Sequence, residues 1–314
     1  MQVTQTSREE INPFLQLLLL GGYAVVGLVI AMIIGFLICL GIYGLDLLHN
    51  TGWMTGNDLK YIGALKILLT AQQIGLFLAP AIFLGITEGK KPQHFYGMKM
   101  PKANLILLVF ILMLCSTPIL GFVNELNQKM NLPEGLKWLE NWMRRMEDEG
   151  TKTTEAILKM NSIGGFLINL LVIAIIPAIC EEFIFRGALQ RTFLRIIKNP
   201  HIAIWTSAII FSTIHFQFFG FFPRLFLGAA FGYIYFWTGS IWYTVFAHFL
   251  NNGYAVAMAW YLQKNNLPIT NDDGPSVAWY GYLISAILTI ALFWILKEKS
   301  TENHSPQPTT LNED

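Results

Sequence analysis

Charge is scarce in this sequence. Aspartate, glutamate, lysine and arginine make up 13% of the 314 residues, about half the share usual in a soluble domain. They nearly cancel, leaving a net charge of +1, so there is no electrostatic case for a nucleic-acid partner. Cysteine is scarce too. Cys39, Cys115 and Cys180 all lie in apolar runs, which excludes a disulfide framework and a Cys-x-x-Cys metal knuckle. Several hydrolase signatures are also missing: no His-Glu-x-x-His occurs, no Gly-x-Ser-x-Gly elbow and no Gly-x-Gly-Asp, so the usual zinc, serine and intramembrane aspartyl protease motifs are out. No internal repeat is evident.

Apolar length is abundant, at 54% of residues. A membrane span needs about 20 predominantly apolar residues. Residues 13–45 contain no charged side chain, and further uncharged runs follow at 67–87, 103–124, 160–180, 202–223 and 274–296. The stretch 225–263 is too long for one helix and divides at Trp237-Thr238-Gly239-Ser240. The expectation is an all-α, polytopic membrane bundle of about eight transmembrane helices. The first is a retained span rather than a cleaved signal peptide, given its length and the acidic flank Glu9-Glu10. Lys90, Lys91, Lys99, Lys102, Arg191, Arg195, Lys198, Lys297 and Lys299 all fall on one side if both termini are cytoplasmic, as the positive-inside rule requires. The opposite loops carry Asp46, Asp58, Asp272 and Asp273. The cell (inner) membrane is the expected location, and the lipid bilayer the first partner.

Three divisions follow along the chain. Residues 1–121 hold the N-terminal transmembrane helices, 122–159 form an external segment, and 160–299 form the remaining transmembrane core. In the external segment Leu136, Leu139, Trp142 or Met143, and Met146 recur at helical spacing opposite Glu140, Arg144 and Glu147. That predicts an amphipathic helix from near Pro133 to Gly150, covering the membrane face or acting as a lid. The tail 300–314 has two prolines and no apolar run, and is expected to be a disordered cytoplasmic tail.

Within the spans, ionisable residues are functional candidates by default, because a charge at a bilayer centre costs about 2.5–3.5 kcal/mol on insertion scales. Glu181-Glu182 and Arg186 follow the oily run Ile173-Ala174-Ile175-Ile176. Glu182 and Arg186, four apart, share a helix face and can pair, while Glu181 points about 100° away. Pro177 predicts a local bend. His215 lies in the fifth span, and His248 and Asn252 share a face of the seventh. Lys66, Gln72 and Gln73 lie in the second span; Lys66 snorkels, and no chemistry is assigned to this group. At 1.5 Å per residue, Glu181 lies about 15 Å deep from Arg191, His248 about 12 Å from Ser240, and His215 about 21 Å from His201. These depths straddle the middle of the bilayer, which favours one shared polar cavity over three separate packing accidents.

Such a cavity supports two chemistries. In one, Glu181 and His215 deprotonate a water that attacks a peptide carbonyl, and His248 and Asn252 donate to the oxyanion. In the other, His215, His248 and a glutamate bind Zn²⁺, which acidifies the water. A third possibility is a non-catalytic membrane protein, such as an immunity factor or transporter subunit, that uses the cavity for binding.

Glu181-Glu182-x-x-x-Arg186, Phe211-x-x-x-His215 and His248-x-x-x-Asn252, in that order, resemble the motifs of the CPBP intramembrane proteases. This family of CAAX proteases and bacteriocin-processing enzymes includes the type II CAAX prenyl endopeptidases. The turn Tyr235-Phe236-Trp237-Thr238-Gly239-Ser240-Ile241 is similar to the segment before the last motif. The resemblance covers roughly residues 165–252 and implies an endopeptidase that cuts a peptide or protein substrate without a nucleophilic side chain. By position it implies Glu181 as base, His215 as its partner, His248 and Asn252 as oxyanion donors, and Glu182 with Arg186 in support. No cofactor is expected, since the carboxamide of Asn252 suits an oxyanion hole better than a zinc shell; Zn²⁺ remains the alternative.

Overall fold

The computed structural model describes residues 10–49, 52–55, 58–89, 91–267 and 277–302. Among them every regular element is helical. The main helices are α1 Pro13–Tyr43, α2 Ile62–Thr87, α3 Ala103–Gln128, α4 Lys137–Leu158, α5 Ile163–Ile197, α6 Pro200–Thr213, α7 Phe221–Thr238, α8 Ile241–Lys264 and α9 Trp279–Glu302. Lys90, Asp272, Asp273, Glu9 and residues 303–314 of the expected tail lie outside the described residues; Ser300 to Glu302 continue α9.

Six helical segments among the described residues are long and apolar enough to cross a membrane: α1, α2, α3, α5, the 218–238 segment containing α7, and α9. The chain is an integral membrane protein built as a helical bundle. Two further helices, α6 and α8, fall outside that set and have different characters. Helix α8 is 24 residues long but polar for a span, carrying His248, Asn251, Asn252 and Gln263. It can be polar because it is central: Ile241, Thr244 and Ala247 are fully buried, and α8 packs on α3, α5 and α7.

Helix α6 corrects the sequence reading. The uncharged run 202–223 is not one helix: α6 stops at Thr213 after 14 residues, a rise of about 21 Å. The chain turns through 214–220, with Phe216 at φ 53°, and restarts as α7. His215 therefore sits in the turn rather than on the span. Backbone that leaves helical geometry near a membrane must be satisfied by protein, and here it is. Asn127 donates to the Phe218 carbonyl and accepts from the Phe222 N–H; Glu147 accepts from the Phe219 N–H; Arg224 donates to the Gln217 carbonyl.

The amphipathic helix α4 exists but runs from Lys137 to Leu158, past Gly150, and its polar stripe turns toward the rest of the protein. Glu140 is 1% exposed and accepts from the Leu132 N–H, Lys137 and Arg144. Trp138 on the other side is 69% exposed. The stripe Glu140, Arg144 and Glu147 turns inward because it supplies the partners that the 214–220 turn and the 129–132 loop lack.

The start of α1 and the end of α9 lie on one face of the bundle. Glu10 pairs with Arg191 and Arg195 at the end of α5, and Ile11 and Gln16 bond Glu88 at the end of α2. Ser240 bonds the Lys99 carbonyl, Tyr243 accepts from the Lys102 N–H, and Leu296 of α9 packs with Leu105 and Tyr243.

Candidate active site

The site is assembled around one carboxylate pair on α5. Glu182 is fully buried and ion-paired with Arg186 at 2.8 Å, the i, i+4 partner that the sequence spacing named. Arg186 also donates to the Gly228 carbonyl at 3.0 Å and lies over the rings of Phe211 and Phe231. Breaking such a buried pair by removing one partner typically costs about 3–5 kcal/mol. His248 enters from α8, stacked on Phe231. Its Nδ1 hydrogen-bonds Glu182 Oε1 at 2.8 Å, while its Nε2 lies 3.7 Å from Glu181 Oε2. One imidazole thus spans both glutamates.

Glu181 is 5% exposed, and its Oε1 accepts from Gln73 Nε2 of α2 at 3.0 Å. Nothing in the sequence reading assigned Gln73 chemistry. Its signal was a carboxamide in a span; its partner, 108 positions away, is a matter of tertiary packing.

The other two candidates are held at the edges of this set. His215 Nδ1 hydrogen-bonds the carbonyl of Phe211, four residues earlier, at 2.8 Å. That bond makes Nδ1 the protonated nitrogen and leaves the Nε2 lone pair for a partner. The Phe211 ring touches Phe185, His215, His248 and the Arg186 guanidinium, so the spacing of Phe211-x-x-x-His215 fastens the histidine and covers the ion pair at once. No direct hydrogen bond joins His215 to Glu181 among the described residues.

Asn252 donates to the carbonyl of Ile173 at 3.1 Å and accepts from Asn251. Ile173 lies four residues before Pro177, so its carbonyl has no α-helical N–H to receive. Asn252 supplies the donor. The carboxamide expected to face an oxyanion engages one of its two N–H groups on the bend in α5.

Three π-helical segments adjoin the site: Ile74–Leu78 after Gln73, Leu170–Ile175 containing Ile173, and Phe183–Gln190 containing Arg186. Such segments occur often at functional sites.

A polar cavity of about 720 Å³ lies beneath α4, lined by residues including Arg144, Glu147, Gln217 and Arg224. An apolar one of about 690 Å³ shares Asn124, Gly220 and Arg224 with it and reaches α8 at Leu250 and Asn251. Neither is lined by Glu181, His215 or His248. Glu181, Glu182 and His248 are each no more than 5% exposed, so the site is closed in this conformation. Among the described residues no three His, Cys, Asp or Glu side chains form a group that could hold a metal ion; Glu182, the most engaged donor, is shared by Arg186 and His248.

The arrangement defines a class: a helical membrane protein with a buried glutamate–histidine site. Residues 163–254, which carry every one of these motifs, match the family model described as Type II CAAX prenyl endopeptidase Rce1-like. That is the family to which the motif resemblance pointed. The "Uncharacterized protein YpbD" of Bacillus subtilis (strain 168) is 29% identical over 86 residues, which are 26% of this chain and 41% of that protein. The chain thus matches about two fifths of that relative's length. No solved structure matches.

Proposed function

We propose that the protein is an intramembrane endopeptidase in which Glu181 and His215 activate a water to hydrolyse a bond in a peptide or proprotein. The observation that carries this reading is Glu181 itself. It is a buried carboxylate hydrogen-bonded by a neutral donor, Gln73, while its neighbour Glu182 takes the arginine. A structural ion pair needs only Glu182 and Arg186. A second carboxylate beside it is left for proton transfer.

In the reaction, the water gives one proton to Glu181 as its oxygen adds to the peptide carbonyl, and the free Nε2 of His215 relays that proton onward. His248, protonated on both ring nitrogens so that its Nδ1–H stays on Glu182, donates from Nε2 to the developing oxyanion. The proton then passes to the departing amine as the C–N bond breaks. The donor set supports a metal-free reaction. The closed site favours a substrate that enters by the cavities beside α4 and displaces the 214–220 turn.

The test is cleavage of internally quenched peptides by purified protein. Glu181→Gln is expected to lower the rate at least about 10²–10⁴-fold, the usual worth of a general base, and chelators are expected to leave cleavage intact. Activity lost to chelation and restored by Zn²⁺ would transfer water activation to a metal. Absence of cleavage, with peptide binding unaffected by Glu181→Gln, would favour a binding protein.

A further inference from the structure

We infer that Gln73, on the second membrane helix and outside the segment matched by the family model, is a positioning residue of the hydrolytic site: it orients Glu181 and takes the second hydrogen of the water that Glu181 deprotonates. The inference rests on the proteolytic reading above and adds a residue from the N-terminal helices to it.

Three observations meet at this side chain. Its Nε2 donates to Glu181 Oε1 at 3.0 Å, across 108 residues of sequence. Its Oε1, on the same carboxamide carbon, is buried and has no hydrogen-bond partner among the described residues. Buried acceptors are nearly always satisfied, and one left over at a site marks a place for a donor. A water bound at Glu181 has two hydrogens. One goes to the carboxylate, and the carboxamide oxygen beside that carboxylate is an acceptor for the other. With both hydrogens assigned, the oxygen lone pair is aimed away from the glutamine and toward the substrate carbonyl.

The backbone around Gln73 is fixed closely enough to aim it. Helix α2 passes into its π-helical segment Ile74–Leu78 at the next residue. There Gly75 meets Gly27 of α1 so closely that a Cβ on Gly75 would lie 2.5 Å from the Gly27 carbonyl oxygen, and one on Gly27 2.4 Å from that of Gly75. Small residues that let helix backbones touch lock the rotation of both. The first two helices thereby set the angle at which Gln73 reaches Glu181.

Chemistry also favours a carboxamide here. A lysine would neutralise Glu181, as Arg186 does Glu182, and a hydroxyl lacks the length and the separate donor and acceptor. When the water attacks, one proton moves to Glu181, the C–O bond forms, and the second hydrogen stays on oxygen, donating to Gln73 Oε1. Gln73 gains and loses no proton.

Two measurements test this, one of them independent of turnover. In protein labelled with ¹⁵N at glutamine, in detergent micelles, the Gln73 carboxamide resonance is identified by its loss in Gln73→Met. It should shift in Glu181→Gln and stay in place in Glu140→Gln. A resonance unmoved by Glu181→Gln overturns the contact. For turnover, the probe is a quenched peptide that the wild type cuts and Glu181→Gln does not. Gln73→Met should lower kcat about tenfold to a hundredfold, the scale of a misplaced reacting group, with KM within about twofold. Should Gln73→Met fail to fold, Gln73→Leu provides the same comparison. Wild-type kcat, or a loss that falls on folded yield or KM alone, overturns the positioning role. If the wild type cuts no peptide, the proteolytic reading fails and this role falls with it, while the resonance shift would still place Gln73 on Glu181.

Discussion

At the residue scale, Asn252 shows how one side chain can have two claims on it. Its motif position implies an oxyanion donor, and one of its two N–H groups is engaged on the Ile173 carbonyl, whose α-helical donor Pro177 removes. The two roles separate experimentally. Asn252→Ala strands that carbonyl, at about 1–3 kcal/mol if nothing replaces the bond. Pro177→Ala restores an N–H four residues after Ile173. In the Pro177→Ala background, Asn252→Ala is therefore expected to cost much less stability, measured by thermal unfolding in detergent. If peptide cleavage still falls with Asn252→Ala in that background, the carboxamide also acts on the reaction. If stability and cleavage recover together, its role is to shape α5. Spacing made part of this site legible. Glu182 and Arg186 pair because helix geometry puts i and i+4 on one face, and the same rule holds His215 on the Phe211 carbonyl. What spacing could not give is the rotation of one helix against another. That rotation decides that His248 spans both glutamates and that Gln73 reaches Glu181.

At the element scale, hydropathy found the long apolar helices and misread the places where apolar sequence is not helix. The turn at 214–220 is hidden in a phenylalanine-rich run, and only Gly220 and Pro223 mark it. Helix α4 was legible in its period but not in the direction it faces, because moment arguments assume that polar stripes meet water. Here the stripe meets unsatisfied backbone. Glu140 is the fastening, and its hydrogen bond from the Leu132 N–H, with Lys137 and Arg144 adding to it, holds its carboxyl below the ordinary value of 4.5. A depressed carboxyl contributes stability that is present above its unfolded value and lost as pH falls through its folded one. The 129–158 segment should therefore become more open to proteolysis and hydrogen exchange as pH drops below about 4.5. Glu140→Gln should be more open already at neutral pH and change less on acidification. An acid response identical in wild type and Glu140→Gln would show that Glu140 is not the fastening.

At the scale of the whole molecule, the start of α1 and the end of α9 share a face with the α2–α3 loop, the end of α5 and the α7–α8 turn, and α4 covers the opposite one. The geometry fixes which groups lie together; the charges bear on which face is cytoplasmic. Lys91, Lys99, Lys102, Arg191, Arg195, Lys198, Lys297 and Lys299 are on the first face, mostly in short connections, where the positive-inside rule has its force. The basic residues around α4 belong to a longer segment and stand among as many acidic ones. The orientation proposed is therefore cytoplasmic termini with α4 outside, and the cavities beside α4 opening away from the cytoplasm. Single cysteines placed in a background lacking Cys39, Cys115 and Cys180 test it with a membrane-impermeant maleimide on intact cells. Exposed positions Asn141 and Lys152 should label directly, and Gln93 and Lys297 only after permeabilisation. The reverse pattern would invert the protein in the membrane and leave the bundle intact, because all four positions would still divide in the same way. Labelling of Gln93 and Lys297 from opposite sides would do more: it would break the shared face, and with it the contacts of Leu296 with Leu105 and of Glu10 with Arg191 on which the path of the chain depends.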